Sequence, residues 1–148
     1  LGGNTVLFAS PKIPSTRAIV TIASPDEPAN LAKKLKKTKS RCMKSGIAEA
    51  EIGGVKFNFK PQFFADIESY NLSELQKSIH LPYLVMHSTV DTYSEIQNAE
   101  VLFSRANQPK SFISLDDIDH LMLRKEDGLY AGEIIAAWFS KFQISNSK

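Results

Sequence analysis

Three short runs of β-branched and apolar residues constrain this chain more than any other feature. Arg17-Ala18-Ile19-Val20-Thr21-Ile22-Ala23 is closed by Ser24-Pro25. Pro82-Tyr83-Leu84-Val85-Met86-His87 and Lys110 to Leu115 are the other two. Each is too short for a helix of ordinary length and none alternates cleanly, so each reads as a strand buried on both faces. Helix-patterned sequence separates them. Strand, helix, strand, helix in that order predicts a parallel sheet flanked by helices, an α/β architecture.

The intervening segments have their own signals. Gly3 to Ala9 is short and mostly apolar, and Pro11 and Pro14 end it. Asp26 to Lys39 carries Ala29, Leu31, Ala32 and Leu35 at near-helical spacing with lysines between them, which predicts an amphipathic helix starting near Asp26. From Ile47 the period changes to two. Ala48, Ala50 and Ile52 alternate with glutamates, Gly53-Gly54 interrupts, and Val55, Phe57 and Phe59 alternate with polar residues. Two such runs around a Gly-Gly pair predict a β-hairpin. Pro61 to Ser69 reads as helix, and Asn71-Leu72-Ser73-Glu74 has capping-box spacing for another. Ser94 to Ala106 is a further helix. Asp127 to Phe142 is the longest, with Leu129, Ala131, Ile134, Ile135, Trp138 and Phe142 as its apolar stripe. Gln143 to Lys148 is a polar tail expected to fray.

Three main strands make a small sheet with open edges, so the chain reads as part of a sheet, and homo-oligomerisation through an exposed edge is expected. The chain opens Leu1-Gly2-Gly3 without Met, which suggests a segment of a longer polypeptide. Composition narrows the function. With 43% hydrophobic and 23% charged residues among 148, the chain is neither disordered nor fibrous. A net charge of +2 gives no drive toward nucleic acid or an acidic membrane. The single cysteine, Cys42, excludes an internal disulfide and a multi-thiolate metal site. No apolar run is long enough to span a bilayer, and Leu1 to Ser10 lacks the pattern of a signal peptide. A cytoplasmic location is the expectation.

In a doubly wound sheet the functional loops follow the carboxyl ends of the strands. Here those loops hold Ser24 and Asp26; His87, Ser88 and Asp91; and Asp116, Asp117, Asp119 and His120. Asp91 and His120 are 29 residues apart, an interval of one helix and one strand, so both can reach one edge of the sheet. An Asp that orients a His is half of a nucleophilic triad.

These residues resemble the C-terminal half of an α/β-hydrolase. In that superfamily the nucleophile sits in Gly-x-Ser-x-Gly, followed along the chain by the acid and then the His. Leu1-Gly2-Gly3 matches the segment just after the nucleophile. Val85-Met86-His87-Ser88-Thr89-Val90-Asp91 matches the strand and loop of the acid, and Asp119-His120 the loop of the base. The hairpin Glu49 to Phe59, Pro109-Lys110-Ser111-Phe112 and Ser114-Leu115-Asp116 further resemble a bacterial subfamily, some of whose members carry an OsmC-like domain. The resemblance implies a partial α/β-hydrolase fold over residues 1–148, with a small hairpin cap insertion at about residues 40–80 and the preceding strands and nucleophile absent. It implies Asp91 as the acid, His120 as the base and the backbone N–H of Leu1 as an oxyanion donor. The nucleophilic serine would immediately precede Leu1. The implied activity is serine-type hydrolysis of a carboxylic ester or related acyl bond in a small substrate, without cofactor or metal. A non-catalytic fragment, or a small-ligand binding module that self-associates, is the alternative.

Asp91 can cap the helix near Ser94. Asp26 is the rival acid, with an N-cap as its own simpler role. His120 can be a loop histidine held by Asp119. His87 ends a strand and can point into the site or pack beneath it, and packing is the expectation. Together with Asp91 and His120 it suggests a metal site only weakly, as no helical His-x-x-x-His supports one. Ser10, Ser24 and Ser88 lack a nucleophile elbow. The basic run Lys33, Lys34, Lys36, Lys37, Lys39, Arg41 and Lys44 reads as a solvated helix face rather than a phosphate site. Cys42 reads as an inert thiol. Phe57, Phe59, Phe63 and Phe64 fit equally an acyl pocket and a small core under the hairpin.

Overall fold

The computed structural model describes residues 1–52 and 55–143. The helices and strands are, in order, α1 (Gly2–Ala9), β1 (Ile19–Ile22), α2 (Ala29–Lys34), α3 (Lys36–Ser45), β2 (Ala48–Ile52), β3 (Val55–Phe59), α4 (Pro61–Ser69), α5 (Leu72–Ser78), β4 (Tyr83–His87), α6 (Gln97–Arg105), β5 (Lys110–Ser114) and α7 (Lys125–Gln143). They fall into two compact units. One is Leu1–Asp26 with the chain from Ser73 onward, and the other is Glu27–Leu72.

The first unit is built on a parallel sheet of order β1-β4-β5, as the alternation of strands and helices predicts. Thr21 lies opposite Val85, and Val85 opposite Phe112. Side chains alternate across a strand. Leu84, Met86, Val20, Ile22 and Ile113 therefore share one face, where Ala131, Ile134, Ile135 and Trp138 of α7 cover them. On the other face Thr21 and Tyr83 exchange a buried 2.8 Å hydrogen bond, Phe112 meets Phe103 of α6, and α1 lies against Thr21. Every residue of β4 is buried, as a central strand covered on both faces requires. Fully burying each of Leu84 and Met86 stabilises by roughly 1.5–3 kcal/mol.

Lys110 ends α6. Its ammonium donates to the carbonyls of Phe103 (2.8 Å) and Ala106 (2.9 Å), and it lies 4.7 Å from the Phe103 ring centroid. A cation here satisfies orphan carbonyls at the negative end of the helix. Asn107 does similar work for α5, donating to the carbonyls of Lys77 and Ile79.

The second unit is α2, α3, the antiparallel pair β2–β3 and α4. Ala48 faces Phe59, and Ile52 faces Val55. Gly53 and Gly54, the expected turn, lie outside the described residues, as does the tail beyond Gln143. Ala32, Cys42, Ala48, Phe59, Phe64 and Ile67 form the core, with Phe63 packed against it. The Phe59 and Phe64 rings belong to that core, which decides between the two readings of the aromatic cluster, and Phe57 is exposed. Cys42 is buried and its thiol donates to the Phe59 carbonyl.

The single helix expected over Asp26–Lys39 is instead two, meeting at Leu35 and running on to Ser45. In an unbroken helix Ala32 and Cys42 would point about 80° apart. The break lets both enter one core. Gly46 then ends α3 at φ +80°, a left-handed cap that glycine adopts without steric cost. Most of the basic run is exposed on α2 and α3, while Lys39 pairs with Glu68. Helix α7 begins at Lys125, and Leu129 is exposed rather than in its stripe. Leu129 lies about 160° around the helix from the buried Ala131. No described helix is long and apolar enough to cross a membrane.

Candidate functional site

The loops after the three parallel strands converge on one edge of the sheet. Their backbones are strained where the sequence gives little warning. Ala23 after β1, and Asp117 and Met122 after β5, hold positive φ of 52°, 59° and 51°. Each non-glycine residue in this region costs about 1–2 kcal/mol, and such strain concentrates at functional sites.

Asp91 follows β4 by four residues and its side chain is fully buried. Its two oxygens do different work. Oδ1 accepts the backbone N–H groups of Tyr93 and Ser94, both at 2.8 Å. Oδ2 accepts the Nδ1–H of His120 at 2.6 Å. Asp91 therefore does not cap α6, whose N-cap is Ile96 without a side-chain bond; one carboxylate closes the turn and orients the histidine. Its turn spans residues 91–94, so α6 starts at Gln97 rather than at Ser94. Burial pushes the Asp91 carboxyl up, but the His120 hydrogen bond, the Ser94 and Tyr93 N–H groups and the His120 charge outweigh it, and the net shift is down. The group is a carboxylate at neutral pH.

His120 is about one-third exposed on a loop held by others. Asp119 accepts the N–H groups of Leu121 (2.8 Å) and Leu123 (3.3 Å), so it shapes the loop rather than binding His120. Arg124 forks onto Asp127 at 2.8 and 2.9 Å and donates to the Asp117 carbonyl at 3.0 Å. With Nδ1–H committed to Asp91, the other nitrogen of His120, Nε2, carries the lone pair of the neutral ring. That is the tautomer of a general base.

Two contributors were not visible in the sequence. The Tyr93 ring lies 5.4 Å from the His120 ring, at 43°, and limits where the imidazole can swing. Ser94 supplies an N–H to Asp91 and its carbonyl to His87 Nε2 at 2.7 Å. The only available cue was Asp91-x-Tyr93-Ser94, a spacing that fits an Asx turn but does not reveal what else touches it.

The remaining candidates are placed elsewhere. Asp26 lies 3.9 Å from Arg105 and its N–H donates to Asn98, so it neither pairs with His120 nor caps α2, whose first residue is Ala29. Ser24 is buried and donates to the Pro25 carbonyl. Ser88 is buried and accepts the Val90 N–H, and Ser10 donates to the Leu7 carbonyl. All three are buried. His87 is fully buried, 3.8 Å from Asp91 Oδ2. Among the described residues no group of three His, Cys, Asp or Glu is arranged to hold a metal ion.

Leu1 precedes α1, and its carbonyl accepts the Thr5 N–H at 3.0 Å. The start of α1 lies against the loop after β1, the same edge as Asp91 and His120. A Cβ on Gly3 would stand 2.5 Å from Ser24 Oγ and 2.6 Å from Ser24 Cβ. Only glycine permits that approach.

The fold of this chain recurs in solved structures. The esterase domain of a Rhodothermus marinus protein is 34% identical, with a TM-score of 0.76 over 96% of this chain. The fold is that of an α/β-hydrolase. A putative hydrolase from Agrobacterium vitis (18% identity, TM-score 0.75, 92% of this chain) has the same fold. So does mouse alpha/beta hydrolase domain-containing protein 10 (19% identity, TM-score 0.69, 95% of this chain). The chain spans 58%, 57% and 57% of these three structures, so its fold matches part of theirs. No family model matches the chain, and no curated protein does.

Proposed function

We propose that this chain carries the acid and base of a serine-type α/β-hydrolase that cleaves a carboxylic ester or related acyl bond in a small substrate. The observation that carries the reading is the 2.6 Å bond from His120 Nδ1–H to the buried Asp91 carboxylate. The 34% identity to an esterase domain supports the substrate class. In this reading the nucleophile is the serine of a Gly-x-Ser-x-Gly elbow, with Leu1-Gly2-Gly3 in the place of the residues that follow it. His120 Nε2 takes the hydroxyl proton as the serine oxygen attacks the acyl carbon. The Leu1 N–H donates to the resulting oxyanion. His120 then returns the proton to the departing alkoxide as the carbon–oxygen bond breaks, leaving an acyl-enzyme. A water deprotonated by the same nitrogen attacks the acyl carbon, and the serine leaves with the proton. Asp91 keeps the ring in the required tautomer throughout.

The test is a fluorophosphonate probe and a short-chain aryl ester, applied to the parent polypeptide. One phosphonyl adduct on the serine preceding Leu1, with turnover abolished in His120→Ala, is expected. Turnover unchanged in His120→Ala overturns the assignment.

A further inference from the structure

The group in the site that this mechanism leaves unused is His87. It is the last residue of β4, fully buried, and Ser94 is seven residues further along the chain. A carbonyl only accepts, so the 2.7 Å contact to Ser94 O requires a proton on His87 Nε2. Nδ1 of the same ring is buried and has no hydrogen-bond partner among the described residues. A proton there would be a buried, unpaired donor. The geometry therefore makes Nε2 the donor of the ring. That donor holds the carbonyl of the residue whose N–H holds Asp91 Oδ1.

We propose that His87 is a positioning residue for the Asp91–His120 pair, acting through the Ser94 peptide. It rests on the proposed function, but its logic is geometric. The turn 91–94 has two anchors, the Asp91 carboxylate inside it and the His87 ring beneath it. Only Oδ1 is used by the turn, so fixing the turn leaves Oδ2 directed at His120. Without the His87 anchor the Ser94 carbonyl is an unpaired buried acceptor, and the turn must shift to satisfy it. The Ser94 and Tyr93 N–H groups shift with it, and the carboxylate loses the direction that gives His120 its tautomer. Sequence alone favoured packing beneath the site for His87 over entry into the site or metal binding. The hydrogen bond adds a direction to that packing.

The experiment is NMR on the folded chain, with three variants and no dependence on turnover. In the unsubstituted protein the His120 Nδ1–H should give a far-downfield resonance, as a short charge-assisted bond does. His87 should show a protonated Nε2 and a bare Nδ1. His87→Gln places an amide N–H near the position of Nε2 and should keep the downfield resonance and the low Asp91 titration. His87→Asn is too short to reach Ser94 O, and His87→Leu has no donor. Both should lose the downfield resonance, and Asp91 should titrate nearer its ordinary value. Retention of the resonance in folded His87→Leu or His87→Asn overturns the role of His87 and leaves the Asp91–His120 reading intact. Its absence in the unsubstituted protein overturns that reading itself. If the Leu and Asn variants fail to fold, the unsubstituted chain still decides. A His87 that carries its proton on Nδ1 rather than Nε2 overturns the proposal.

Discussion

Replacing Asp91 by Asn separates the two tasks that one carboxylate performs. Its Oδ1 accepts two backbone N–H groups at 2.8 Å, and its Oδ2 accepts His120 Nδ1–H at 2.6 Å. An amide has one acceptor oxygen and one donor nitrogen. Facing the nitrogen toward the turn would set donors against the Tyr93 and Ser94 N–H groups, so the oxygen must take that side. The amide N–H₂ then faces His120 Nδ1, which has to become an acceptor. The imidazole proton moves to Nε2, and the base nitrogen is lost. The fold should survive, because the turn keeps both its bonds. A charge-assisted bond worth about 1.5–3 kcal/mol is exchanged for a neutral one worth about 1, a net loss near 1 kcal/mol. Turnover should fall far more, by about 10⁴-fold, the scale of the same substitution in a serine protease. That is about 5.5 kcal/mol of lost transition-state stabilisation. Urea unfolding of the chain and kcat of the parent on an aryl ester measure the two effects separately. A fall in kcat of less than about tenfold, or a variant whose His120 proton stays on Nδ1, would refute the reasoning.

Three further outcomes are expected. Because the Asp91 carboxyl lies below its ordinary 3.8 in the fold, its contribution to stability is present above that value and is lost as pH falls through the depressed one. Urea midpoints from pH 5 downward should therefore decline less steeply in Asp91→Asn, and parallel declines would count against the shift. Gly3→Ala should cost about 1–3 kcal/mol, since rotating the Ser24 hydroxyl cannot relieve the 2.6 Å contact with Ser24 Cβ. Gly2→Ala, with nothing within 4 Å, should stabilise α1 by about 0.5–1 kcal/mol. Equal effects at the two glycines, read from thermal unfolding, would contradict the packing. Finally, β1 is an outer strand of the described sheet, and Ile19-Val20-Thr21-Ile22 has neither charge nor proline to discourage pairing. Light scattering of the 148-residue chain at micromolar concentration should report association, and a single-chain mass would refute it.

The strands and most helices could be read because their signals are local. A β-branched run such as Ile19–Ile22 and a periodic stripe such as Ala131, Ile134, Ile135 and Trp138 state their own conformation and buried face. Order along the chain then placed Asp91 and His120 on loops at the same sheet edge. The break at Leu35 was hidden because the α2–α3 segment keeps helical spacing across it. Only the need to put Ala32 and Cys42 into one core reveals it. The start of α6 was misplaced by three residues for a similar reason. Ser94 looks like a helix start, but its carbonyl is taken by His87.

The amino-acid sequence by itself determined the parallel α/β architecture, the hairpin pairing and the loops that bear the acid and the histidine, because periodicity and turn chemistry act over a few residues. Tertiary structure alone decided which oxygen of Asp91 meets His120, that Asp26 goes to Arg105, that Phe59 and Phe64 are core, and that His87 holds the Ser94 carbonyl. Those choices depend on distances between residues far apart in the chain, and on which buried donor or acceptor would otherwise be left unpaired.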